Sequence, residues 1–153
     1  MKKDTVVLGL GNPLLSDEGI GCFLIEQFLK KSHNYPDVDF IDAGTGGMAV
    51  LHLIENRKKA FIIDCAYMQT QPGTIKKFSP NEIKSVKKLK HFSLHEADII
   101  KVIEISKQLN SCPDVLIFFG IEPQVVAPGQ NLSKTLTEKT DRYMEFISTE
   151  LIN

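Results

Sequence analysis

Short runs of apolar, often β-branched residues alternate along this chain with segments whose apolar residues recur at helical spacing. That alternation leaves few folds open. Residues 5–11 (TVVLGLG), 38–46 (VDFIDAGTG), 60–66 (AFIIDCA) and 114–123 (DVLIFFGIEP) read as buried strands, the last stopped by Pro123. Helix-period segments occupy 19–31, 48–56 and 93–109. A final amphipathic helix at 132–152 carries Leu132, Leu136, Tyr143, Ile147 and Leu151 on one stripe. Ser93 and Glu96 form an S-x-x-E capping box, which starts the third helix near Leu94. Residues 73–79 (GTIKKFS) read as an edge strand with lysines on an exposed rim. The expected fold class is α/β: a single-domain, three-layer sandwich over residues 1–153. Its twisted sheet is mostly parallel, with one antiparallel edge strand and helices on both faces.

Bulk properties narrow the function. A formal net charge of −1 provides no overall field for nucleic acid or anionic lipid. Three separated cysteines, with no C-x-x-C pair, fit a reducing cytoplasm better than a disulfide scaffold. The opening MKKDTVVLGLGNPLL imitates a signal peptide, but its apolar run is short and Gly-Asn-Pro breaks it. Nothing approaches the ~20 apolar residues of a membrane span. The six lysines between Lys76 and Lys90 read as a solvated face.

In an open parallel sheet, ligands bind outside the carboxyl ends of the strands. Acids recur there: Asp17 and Glu18 after the first strand, Asp42 at the end of the second, Asp64 at the end of the third. The first turn has the outline of a phosphate loop, but Leu14 replaces the third glycine of G-x-G-x-x-G and no Lys-Ser/Thr follows. Two acids at a helix start also repel the phosphate that a helix dipole attracts. A carboxylate-lined crevice suits a cation instead. Glu18, Asp64 and His95 make a candidate metal set, since the helix start at His95 disfavours imidazolium and leaves a neutral nitrogen.

Plainer readings stand beside these. Asp17 can cap the first helix, and Glu18 can complement its dipole. Asp42 reads equally as an orienting acid or a turn residue. Asp64, after an apolar run, is the hardest to explain without a task. Cys65 reads as a core thiol, and Asp98 as either a hydrogen-bond partner for His95 or an exposed acid. His33 and His52 have no acidic neighbour in a motif, and His91 precedes the helix. Protease signatures fail: HEADI lacks the second histidine of H-E-x-x-H, DAGTG has Ala43 after its acid, and no G-x-S-x-G occurs.

The series LGLGNPLLSDEGIG, DAGTGG, IIDCA and SLHEADII, with GIEP at 120–123, resembles the hydrogenase maturation endopeptidases along nearly the whole chain. The resemblance implies a protease that recognises nickel already inserted in the precursor of a nickel–iron hydrogenase large subunit and removes its C-terminal extension. It implies Glu18, Asp64 and His95 as metal contacts and Asp42 as a further functional acid; by softness alone such ligands would equally hold zinc or cadmium, so nickel is what the resemblance implies. The nickel comes with the partner, and the protein is expected to act as a monomer. The attacking water is activated by the metal or by Asp17 or Asp42. Two rivals are a non-catalytic nickel-sensing chaperone and a peptidyl-tRNA hydrolase. The latter family shares GLGNP but continues with a Tyr and an Arg-His-Asn stretch absent here.

Overall fold

The computed structural model describes residues 1–86 and 94–152, with the backbone alone at 84–86 and 94–98. Its strands are β1 (Thr5–Leu10), β2 (Val38–Gly44), β3 (Lys59–Cys65), β4 (Ile75–Phe78) and β5 (Val115–Ile121). Its helices are α1 (Ile20–Leu29), α2 (Ala49–Ile54), α3 (Pro80–Val86), α4 (Leu94–Gln108), α5 (Lys134–Thr137) and α6 (Thr140–Leu151). The strands form one sheet in the order β2-β1-β3-β5-β4. β4 is the antiparallel edge beside β5, and the remaining pairs are parallel.

β1 and β3 are buried on both faces, which explains why they read as continuous apolar runs. Their alternate side chains enter two cores. Val7, Phe61 and Ile63 pack with Leu24 and Phe28 of α1 and with Tyr143 and Ile147 of α6. Val6, Leu8 and Ile62 pack with Val50 and Ile54 of α2, Ile83 of α3 and Val102 of α4. The expected three-layer arrangement is therefore present.

Two elements differ from expectation. The helix expected at 132–152 is interrupted after Thr137. There the Thr137 hydroxyl donates to the Ser133 carbonyl and the Thr140 hydroxyl to the Thr137 carbonyl, competing with helical bonds. The stripe survives the break, since Leu136, Tyr143 and Ile147 are all fully buried. Conversely, the lysine-rich stretch contains the short helix α3. Ser79 and Glu82 exchange capping bonds at 3.2 and 3.3 Å, with Pro80 at the first helical position. That S-x-x-E signal was present in the sequence. The corresponding Ser93–Glu96 box lies outside the described residues, although α4 does begin at Leu94.

The topology places the crevice. α1 carries the chain from β1 to β2 over one face, and α2 carries it from β2 to β3 over the other. The connections diverge between β1 and β3, the switch point at which such sheets bind ligands. Here α1 lies unusually close to the sheet. A Cβ on Gly21 would stand 2.5 Å from the Leu10 carbonyl oxygen and 2.6 Å from that of Ile63. Gly11, with φ at +128°, turns the chain so tightly that any side chain would collide with the Glu18 carbonyl. The glycines of the first motif thus seat a helix start on the strand ends.

Candidate functional site

Glu18 lies in a 3-10 turn, Ser16–Gly19, that precedes α1, and it is half-buried. Asp64 is buried at the end of β3, beside Gly11. The two are close enough for the Glu18 charge to raise the Asp64 pKa, so the structure brings this pair together across the switch point. The larger cause is burial. Asp64 borders an apolar cavity lined by Leu10, Ile62, Ile83, Ile99 and Phe118. Desolvation, against a favourable backbone bond at Cys65, pushes the carboxyl up to about 8. Asp64 therefore favours its protonated form at neutral pH.

The backbone of His95 is in the first turn of α4, one turn before Ile99 on that cavity. The side chains of His95 and Asp98, and all of His91, lie outside the described residues. Among the described residues, no three His, Cys, Asp or Glu side chains form a group that could hold a metal ion. His33 and His52 are exposed, the latter beside Glu55.

Asp17 has a structural task. It is fully buried, and its carboxylate accepts bonds from the backbone N–H groups of Gln124, Val125 and Ser133 at 2.7–2.9 Å. It does not cap α1, whose N-cap residue is Gly19 with no side-chain bond. With both oxygens committed to the loop after β5, Asp17 is badly placed to act as a base. Asp17→Ala is expected to cost about 3 kcal/mol in urea unfolding, by orphaning three amide donors, and to speed hydrogen exchange at those amides.

Glu122 mirrors it. Buried at the end of β5, it accepts from the Met68 and Thr70 N–H groups and the Thr70 hydroxyl at 2.7–3.1 Å, holding the loop after β3. Sequence reasoning missed this residue, although GIEP places an acid after an apolar run just as AFIID does. On the loop it holds, Tyr67 is 40% exposed. Burial, then the charges of Cys65, Glu18 and Glu122, raise its hydroxyl pKa, which puts it near the acidic pair.

Asp42 is exposed, and its Oδ1 accepts from the Gly44 N–H at 2.9 Å, as an Asx turn requires. The same atom accepts from the Cys22 thiol at 3.1 Å. Both described bonds fall on Oδ1, and the residue borders the cleft; the turn and orienting readings are compatible. Burial first, then the bond to Asp42 and the charges of Asp42 and Asp64, push the Cys22 thiol up to about 12. Cys22 is thus a protonated donor, which argues against a cysteine nucleophile. Cys65 is buried and belongs to no disulfide, as expected of a core residue.

A family model for hydrogenase maturation protease (HycI) matches residues 23–150. The chain belongs to the hydrogenase maturation protease family. The matched span begins just past the Asp17–Glu18 turn. A Bradyrhizobium diazoefficiens hydrogenase expression/formation protein, HupD, is 30% identical over 77% of this chain, which spans 62% of that protein's length. A Methanocaldococcus jannaschii protein, whose name also places it among hydrogenase maturation proteases, is 30% identical over 98% of this chain and 97% of its own. The Escherichia coli hydrogenase maturating endopeptidase HybD superposes with a TM-score of 0.85 at 25% identity, covering 99% of this chain and 92% of that one. The Thermococcus kodakarensis maturation protease HycI shares the fold, with a TM-score of 0.76 at 21% identity and coverage of 99% and 94%. No helix among the described residues is long and apolar enough to cross a membrane.

Proposed function

We propose that this chain is an endopeptidase that removes a C-terminal extension from the nickel-loaded precursor of a nickel–iron hydrogenase large subunit. One observation carries the reading: Glu18 and Asp64 meet at the switch point of a chain belonging to the hydrogenase maturation protease family. In this reading, Glu18, Asp64 and His95 contact the partner's nickel. Two carboxylates and an imidazole suit a borderline divalent ion, and leave coordination positions for ligands from the partner. Zinc and cadmium accept the same donors. A precursor without nickel lacks the contact and is released, which makes the ion the criterion for cleavage. The chain acts as a monomer in the cytoplasm.

Asp42 supplies the base. Its Oδ1 is held by Gly44 and Cys22, so Oδ2 receives a proton from the attacking water. The water oxygen bonds to the scissile carbonyl carbon. The C–N bond then breaks, and the departing amine takes the proton back from Asp42.

The test is a mass spectrum of the protein mixed with nickel-loaded precursor, beside a nickel-free control. A mass loss equal to a C-terminal peptide, seen only with nickel, is expected. Nickel-dependent binding without mass loss would leave a chaperone; neither binding nor loss would remove the reading altogether.

A further inference from the structure

A groove runs away from the acidic pair along α1. It is lined by Asp42, Cys22, Phe23, Leu132, Gln130 and Glu26. Beyond Gln130 it continues into a second depression, which shares Phe23, Gln130 and Leu132 and reaches α5. Gly11 links the groove to the switch point: its carbonyl accepts from the Cys22 thiol at 3.6 Å, and a Cβ on Gly11 would stand 3.9 Å from the Asp64 carboxyl.

Its lining is chemically one-sided. Phe23 and Leu132 are partly buried and offer apolar surface, while the charged lining residues, Asp42 and Glu26, are both acids. Among the described residues, no lysine or arginine lines either depression. Glu26 is exposed and forms no ion pair among those described, so its charge is available to a ligand.

Resting on the proposed function, we infer that this groove binds the precursor segment next to the scissile bond in extended form, with a basic side chain against Glu26. The helix sets the spacing. From Gly19, beside the acidic pair, to Glu26 is seven residues of rise, about 10 Å. An extended chain covers that distance in about three residues. The basic residue is therefore placed about three positions from the bond held near Asp42, with an apolar neighbour over Phe23 and Leu132. Charge complementarity of this kind selects among partners more than it adds affinity.

The test needs neither nickel nor cleavage. Uniformly ¹⁵N-labelled protein is titrated with an eight-residue Ala/Leu peptide carrying one lysine, and with its glutamate counterpart. Shifts are expected at the amides of Gly19, Phe23 and Gln130 with the lysine peptide alone, weakening as salt is added. Glu26→Lys is expected to reduce lysine-peptide affinity about tenfold and to make the glutamate peptide the better ligand. Equal binding of both peptides, no shift at those amides, or an unchanged preference in Glu26→Lys would overturn the groove assignment. Such a failure would leave nickel-dependent shortening of the precursor untouched. Conversely, peptide binding with no shortening would remove the protease reading alone.

Discussion

Asp64→Asn is expected to make the metal-free protein more stable at pH 7 while abolishing its processing activity. The sign follows from the proton balance. The folded state holds the Asp64 proton up to about pH 8, because burial against the apolar cavity outweighs the bond at Cys65. The unfolded carboxyl loses it near pH 4. Between those values the folded state binds more protons, so this group's stabilising contribution is complete below about pH 4 and declines as pH rises, levelling off above about 8. At pH 7 the accumulated loss is on the order of 3–4 kcal/mol. Asparagine, which resembles the protonated acid and cannot ionise, should recover most of it. Urea unfolding of wild type and Asp64→Asn across pH 4–9 reads this directly. The wild-type curve should slope downwards where the variant's is flatter, and parallel curves would refute the account. Calorimetry supplies a companion reading. Nickel added at pH 7 should release about one proton from Asp64 in wild type and none from that position in the variant.

Glu18→Gln and His95→Ala are expected to lower nickel-dependent processing about a hundredfold or more, with melting temperatures within a few degrees of wild type. In the proposed function both act at recognition, so precursor binding should weaken together with cleavage. Asp42→Asn should behave differently. A lost base is worth roughly a hundred- to ten-thousandfold in turnover, while nickel-dependent binding of the precursor is retained. Mass spectrometry follows cleavage and a pull-down follows binding. Full cleavage in both Glu18→Gln and His95→Ala would eliminate the proposed metal contacts. Loss of binding in Asp42→Asn would move that residue from chemistry to recognition.

The sheet was legible because β1, β3 and β5 each carry a near-continuous apolar run, a pattern that parallel strands covered on both faces require. The helix break at Thr137 was not, because a stripe at helical spacing continues through it and hydroxyl competition leaves no mark on hydrophobic period. The site was half legible. Position relative to the strand ends located Asp17, Glu18, Asp42 and Asp64, but a carboxylate that could bind an ion and one that binds amides look alike in sequence. Asp17 and Glu18 are neighbours with opposite assignments. Asp17 points into the loop after β5, while the Glu18 charge reaches Asp64 and Tyr67. Only the fold separates them. The same ambiguity hid Glu122, whose partners stand more than fifty residues earlier in the chain.

Asp17 and Glu122 tie the loops after β1, β5 and β3 into one connected rim. Their order is therefore established when the protein folds, before any partner arrives. Association then carries little entropic penalty for fixing those loops, and a modest contact area can suffice for capture. With encounter governed by a rigid rim, the discrimination between loaded and empty partners that the proposed function requires would fall on residence time rather than on the rate of arrival.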